Sequence, residues 1–394
     1  MSARTRIRPA LVRPALAAVA LCSVLTACTS GASGSPRDAA DGKAAEPPAK
    51  VSVVTPAAGR VVTVTATGGT LTEVRVVDAK GGVLTGKTAS GGTSWVSERV
   101  AAPGAAYRVE ATARTAGGKE STTRSTFRTP AAERVNRLTL APGKNTTVGV
   151  GQPLSIVFDG PVTHKAEVEK QLRVTTSNAT EGSWGWLKDW SGKDRADWRP
   201  KEYWRPGTKV TLDATLNGTD SGGGWFVRDY KTGFIVGARQ IVKVDLDAKK
   251  LRLERDGRVV RTIPVSGGTP GGDRRSWRGT AVLMAKEGTI RMNSETVGLG
   301  DAYNKMVAYS MRLTWSGMYA HAAPWNEGYF GRENHSSGCI GMSTEQAASL
   351  YASVRAGDPF EIKGADTKGT VAEGNGYGAW NVGWEEWKKK SALG

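Results

Sequence analysis

The chain has 394 residues, enough for about two to four domains and well above the size at which a core forms unaided. Its 50 glycines, with recurrent Ala, Thr and Val, favour strands and turns over long helices. The formal net charge of +17 points to an anionic partner.

The N-terminal stretch MSARTRIRPALVRPALAAVALCSVLTAC carries Arg4, Arg6, Arg8 and Arg13, then an apolar run from Ala15 to Leu25. The run is far shorter than the roughly 20 residues a spanning helix needs. It fits the apolar region of a secretory signal over residues 1–27. Leu25-Thr26-Ala27-Cys28 resembles a bacterial lipobox, in which Cys28 is lipidated and becomes the new N-terminus. The alternative is an ordinary signal with a chance cysteine. The lipid reading is favoured because a polar stretch, TSGASGSPRDAADGKAAEPPAK, follows at once. It has no periodicity and reads as a disordered tether over residues 28–50. A lipid anchor contributes about 0.8 kcal/mol per buried CH₂. It would hold the protein on the outer face of the cytoplasmic membrane, with the folded part extending into the cell wall. Cleavage removes four arginines and no acid, so the remainder stays basic and suits a cell wall or lipid headgroups. An export signal and the lack of a recognised binding motif argue against nucleic acid as a partner.

From Val51 to Pro130 short alternating runs end in Gly pairs: RVVTVTATGG, LTEVRVVDAKGG and AYRVEATARTAGG. Strands at this spacing predict a β-sandwich over residues 51–130. A second sandwich is predicted over 131–237 from RLTLAPG, LSIVFDGPV, LRVTTS and TKVTLDATLNG. It carries Trp184, Trp186, Trp190, Trp198 and Trp204. These read as sandwich core and a packed face between domains, in preference to a sugar-stacking surface. His164, in the polar run GPVTHKAE, reads as exposed.

A third unit begins near Arg239. Val242, Val244 and Leu246 alternate on one strand, Leu251 and Leu253 on the next, and Asp256-Gly257 is a hairpin turn signal. One helix is evident: Ser343-Thr344-Glu345-Gln346 is a capping box, Ala347, Leu350, Tyr351 and Val354 recur at helical spacing, and Gly357 is placed to end it. Cys339 lies on a turn before that helix, where a loop exposes a side chain held by rigid flanks.

Cys22 leaves with the signal and Cys28 carries lipid, so Cys339 has no disulfide partner. A leftover thiol in an exported protein is either a buried small hydrophobe or a reactive group. A thiol attacks as thiolate, and a pKa of about 8.5 leaves little thiolate at neutral pH, so it needs a base. The chain has three histidines, and His321 and His335 both lie near Cys339. His321, in SGMYAHAAPW, is at a strand end with its ring free to project. Ser337 and Gly338 are small enough for successive backbone N–H groups to converge on an oxyanion. A zinc site needs three or four ligands, and this region offers one Cys and two His with no compelling third type, so a Cys–His acyl-transfer site is favoured over metal.

YAHAAPW together with ENHSSGCIGMS resembles the signature of the L,D-transpeptidases of bacterial cell walls. VKVDLDAKKLRLERDGRVVRTIPVSGG, RMNSETVG, RLTWSGMYAHAAPW and the tail GAWNVGWEEWKK support the resemblance. WRPKEYWRPGTKV and the paired β-units are similar to actinobacterial members. The resemblance implies a mainly β protein: two immunoglobulin-like sandwiches, a β-rich catalytic domain with one or two short helices over 238–364, and a Trp-rich extension, 365–394, packing on the catalytic domain. It implies Cys339 as nucleophile, His321 as general base oriented by the Ala322 carbonyl, and an oxyanion hole from the N–H groups of Ser337, Gly338 and Cys339. Trp315, Tyr303 and Met292 would line the substrate cavity, with a lid between them, and Trp325, His335 and Asn334 would join the substrate-binding set. Two departures stand out. The family's usual His before Gly-Cys is Ser337, with His335 displaced upstream, and the usual Asn two residues after the Cys is Gly341.

The implied activity is transpeptidation of peptidoglycan stem peptides, donor and acceptor, through a cysteine thioester to give 3→3 cross-links. No cofactor or metal is implied, and carbapenem-type β-lactams would acylate the same thiol. The alternatives are an L,D-carboxypeptidase that sends the thioester to water and a non-catalytic wall-binding protein.

Overall fold

A computed structural model of the chain describes residues 47–57 and 59–394. The expected signal, Cys28 and most of the expected tether lie outside the described residues. Ala49 is buried and Lys50 opens the first strand, so the last residues of the expected tether belong to the folded part.

In the first unit two four-stranded antiparallel sheets enclose a common core. One runs Lys50–Val54, Val61–Thr67, Ser94–Val100, Gly86–Thr88; the other runs Val83–Leu84, Thr70–Asp78, Ala106–Arg114, Glu120–Arg128. Along Ala106–Arg114 every second residue, Tyr107, Val109, Ala111 and Ala113, is buried, the alternation a half-buried strand requires. Val62, Val64, Val76, Trp95 and Phe127 complete the core.

The second unit is also a two-sheet sandwich. Leu138–Ala141, Leu154–Phe158, Asp194–Pro200 and Gly182–Lys188 form one sheet; Thr147–Val148, Tyr230–Val236, Lys209–Ala214 and Leu172–Thr176 form the other. Trp184, Trp186, Trp198 and Trp204 are buried in its core, as the patterning implied, and Trp190 alone of the five is exposed. His164 is exposed ahead of the short helix Lys165–Glu169.

The third unit stacks two sheets and a helix. Five strands run Arg258–Pro264, Lys250–Arg255, Gln240–Asp245, Pro359–Lys363, Gly279–Val282; four run Ala285–Asn293, Asn304–Arg312, Tyr319–Ala322, Ile340–Met342. Asp256 (φ +51°) and Gly257 (φ +80°) make the hairpin turn, both in the left-handed region that a two-residue turn demands. The helix Thr344–Ser353 is capped by Ser343, whose hydroxyl accepts from the Gln346 N–H at 3.2 Å. Gly357 does not end it, contrary to expectation. The helix stops at Ser353, with Val354 already extended. Gly357 (φ +95°) instead lets the chain approach the second sandwich: Gly149 N–H donates to Ala356 O at 2.8 Å and Gly151 N–H to Gly357 O at 2.9 Å.

The C-terminal extension packs on the third unit and also reaches the second sandwich, strapping the two together. Asn381 donates to Thr280 O of the third unit and to Val371 O within the extension, each at 2.9 Å. Trp387 is fully buried against Leu187 of the sandwich and donates to Ser183 O at 3.1 Å. It occupies a slot left by Gly185, where an added Cβ would sit 2.6 Å from the indole. Arg199, on the adjacent strand, lies 4.9 to 5.3 Å from the rings of Trp380, Trp384 and Trp387 and donates to Val382 O. The sandwich's outer face carries this aromatic-receptive slot, so the extension's tryptophans are drawn there.

Candidate active site

Tyr319–Ala322 and Ile340–Met342 pair in parallel, setting His321 opposite Gly341, with Cys339 entering its strand from the preceding bend. The parallel register brings residues far apart in the chain to the same end of the sheet. His321 Nδ1 lies 2.8 Å from Ala322 O. A carbonyl only accepts, so Nδ1 carries the proton and Nε2 keeps its lone pair. Burial holds the imidazole below its ordinary range, partly offset by that bond to Ala322.

Cys339 is buried, not exposed as its turn position suggested. Its Sγ contacts Gly317 O at 3.6 Å. Burial pushes the thiol up to about 11, and the Tyr319 backbone N–H pulls it partly back. The resting pair is therefore neutral thiol and neutral imidazole, which calls for proton transfer during attack and not before it.

Three serines shape the bend around the sulfur. Ser336 Oγ donates to Cys339 O at 2.6 Å and accepts from Gly338 N–H at 3.1 Å. Ser276 Oγ donates to Gly338 O at 2.8 Å. Ser266 Oγ accepts from His335 N–H at 2.9 Å and donates to Glu333 O at 2.8 Å. Gly338 has φ +113°, a conformation that side chains resist. The Gly338 N–H is thus already bonded, whereas those of Ser337 and Cys339 have no partner among the described residues. The available backbone donors number two, not the three expected.

A cavity of about 240 Å³ opens beside the pair; Met292, Tyr303, Trp325, His335 and Ser337 line it with His321 and Cys339. Burial pushes the Tyr303 phenol up to about 12, so it stays a neutral donor there. The Trp325 ring stands 6.0 Å from His321. His335 is exposed and stacks on Tyr329 with centroids 4.0 Å apart. A smaller cavity, about 30 Å³, lies between Gly317, Ser337, Gly338, Tyr303 and the segment carrying Val297 and Leu299.

Two expected lining residues are elsewhere. Asn334 has both amide ends engaged, accepting from Gly267 N–H and donating to Leu246 O, each at 2.8 Å. Trp315 is half-exposed and packs under Arg312, 5.7 Å from its ring. Gly341 pairs both ways with Ser266, and an added Cβ would sit 3.0 Å from the Ala323 Cβ, so Gly341 and Ala323 are sterically coupled. Ser266, Ser276, Ser336, Gly317 and Lys305 are site residues that sequence reasoning missed. Ser336, three residues from the thiol in HSSGC, was the one with a local signal. No group of three or more His, Cys, Asp or Glu gathers to hold a metal ion among the described residues.

Residues 53–220 match a family model for a bacterial Ig domain, which spans parts of both sandwiches, and residues 239–362 match one for the L,D-transpeptidase catalytic domain. L,D-transpeptidase 2 of Mycobacterium tuberculosis is 31% identical over 339 residues, 84% of this chain and 80% of that protein. L,D-transpeptidase 1 of the same species is 33% identical over 229 residues, 57% of this chain and 84% of that protein. A solved structure of an L,D-transpeptidase in complex with imipenem covers 58% of this chain and 99% of its own, at 32% identity and a TM-score of 0.50.

Proposed function

The chain belongs to the L,D-transpeptidase family of acyltransferases, and from that membership we propose that it cross-links peptidoglycan stems through a thioester on Cys339. The observation that carries this reading is the buried Cys339 sharing one cavity with His321, whose Nδ1 is committed to Ala322 O. His321 Nε2 takes the thiol proton as Sγ attacks the carbonyl after the third residue of a donor tetrapeptide. The oxyanion is held by the free N–H groups of Ser337 and Cys339. The imidazolium returns the proton to the departing amine, and the terminal D-residue leaves. An acceptor amine then attacks the thioester, giving its proton to His321, and the 3→3 amide forms as the thiol is restored.

The imipenem complex of the similar structure supports β-lactam acylation of the same thiol. The lipobox at Leu25 to Cys28 supports a lipid anchor on the outer face of the cytoplasmic membrane, and Cys28→Ala is expected to move the protein from membranes to medium. Mass spectrometry of the full chain with a muropeptide tetrapeptide tests the central reading. An acyl-enzyme followed by dimer is expected. Acyl-enzyme followed by hydrolysis alone would mean a carboxypeptidase, and neither species would leave a wall-binding protein.

A further inference from the structure

Lys305 is the one lysine or arginine lining the cavity that His321 and Cys339 share, and no carboxylate lines that cavity. The residue sits on the strand Asn304–Arg312, opposite Met292, which lines the same space. Its ammonium lies 4.5 Å from the Trp325 ring, and that ring is the one beside His321. Among the described residues Lys305 makes no ion pair. A cation–π contact orients an ammonium without neutralising it, so the charge remains available to a ligand. The exposed Lys305 therefore brings an uncompensated positive charge to the mouth of the cavity, over the ring that stands beside His321.

The donor supplies the matching charge. If Cys339 attacks after the third residue of a tetrapeptide, the fourth residue's terminal carboxylate is separated from the scissile carbonyl by only a nitrogen and a Cα. That anion must enter the cavity with the scissile bond. Drawing it from water without a partner is costly, and a charge-assisted bond to an ammonium offsets the loss. An acceptor stem arrives as an amine, whose protonated form a nearby lysine repels. The cavity thus suits the anionic donor.

We infer that Lys305 binds the terminal carboxylate of the donor stem and makes the enzyme select stems that end one residue after the scissile bond. A longer stem, or one with an amidated end, carries a neutral amide where Lys305 expects a charge. The inference rests on the transpeptidase reading of Cys339 and assigns a specificity-determining residue to it.

The test uses the full chain and two tetrapeptides that differ only in a free carboxylate or a carboxamide at the C-terminus. Acyl-enzyme formation is followed by mass spectrometry, and kcat/KM is taken for each. The wild type is expected to favour the acid by about tenfold or more, the scale of a charge-assisted bond. Lys305→Gln is expected to bring the acid-to-amide ratio close to one, Lys305→Glu to reverse it, and Lys305→Arg to keep most of it. A thermal melt on each variant controls for folding. A ratio unchanged in Lys305→Gln, or equal losses on both peptides, would overturn the assignment. So would a wild type that acylates equally with both. A wild type that forms acyl-enzyme with neither peptide would instead remove the transpeptidase reading, and this inference with it.

Discussion

At the scale of single residues, His321 and His335 separate by what their backbones allow. His321 is buried with Nδ1 tied to Ala322 O, whereas His335 is exposed and stacked on Tyr329. His321→Ala is expected to slow acylation by about 10²-fold or more, the usual scale for a general base. His335→Ala should cost less, and equal losses would show that the two rings share the work. Burial holds the His321 imidazole below its ordinary range, so it stays unprotonated, and active as a base, into mildly acidic solution. The acid limb of acylation against pH is therefore expected below about 6.5, the free imidazole value. A limb at or above that value would contradict a buried base. Ser337→Ala keeps the backbone N–H and should acylate within a few-fold of the parent. A folded variant slowed by ~10²-fold would give the hydroxyl a part in oxyanion binding, since that is the scale of one lost donor.

At the scale of elements, the placement of Cys339 depends on a segment that chemistry alone would not have named. Asn375, buried in the C-terminal extension, accepts from Ser316 N–H and donates to Ser316 Oγ, each at 2.8 Å. The next residue, Gly317, presents the carbonyl that the Cys339 thiol meets. Gly376, beside Asn375, takes Arg195 of the second sandwich on its carbonyl at 2.8 Å. The extension thus links sandwich, turn and thiol. Asn375→Ala removes the partner of the half-buried Ser316 N–H and is expected to cost about 1 kcal/mol in thermal stability. It should also slow acylation by several-fold at temperatures where the variant is fully folded. A lower melting temperature with unchanged acylation would confine Asn375 to stability. Much of the catalytic unit was legible: the Asp256-Gly257 hairpin, the Ser343 cap and the Val242, Val244, Leu246 alternation rest on local rules. The helix end was not, because Gly357 is a close-approach glycine whose reason is Gly149 in another unit.

At the scale of the whole molecule, the junction between second sandwich and catalytic unit encloses an acid. Asp358 is fully buried, with Oδ2 accepting from Arg355 N–H at 2.9 Å and Gln240 Nε2 at 3.2 Å, while Oδ1 has no partner among the described residues. Gly149 closes over it, since an added Cβ would sit 2.2 Å from Oδ1. Burial pushes the carboxyl up to about 7, despite the pull of Arg355 and Lys286. In the unfolded chain it ionises near the ordinary carboxylate value of about 4. The folded state is therefore favoured most below that value and loses stability as pH climbs from about 4 to about 7. Asp358→Asn is expected to match the parent near pH 4 and to exceed it at pH 7, by an amount on the order of a few kcal/mol. Melting temperatures of both proteins from pH 4 to 8 check this, and a difference constant with pH would refute it.

Sequence alone determined the mainly β class and two sandwiches before a catalytic unit, and it left Cys339 with two candidate histidines, His321 and His335, between which the family resemblance chose. Alternation, turn residues and the scarcity of cysteine and histidine are local or compositional signals, and they need no partner to be read. The tertiary structure decided the rest: that the thiol is buried, that Ser336 occupies the Gly338 N–H, that Asn334 braces a loop, and that the Trp-rich extension crosses to the second sandwich. Each of these depends on which backbone groups are already satisfied by residues distant in the chain. That accounting closes only when Ser276 meets Gly338, Asn375 meets Ser316 and Trp387 meets Gly185 in space.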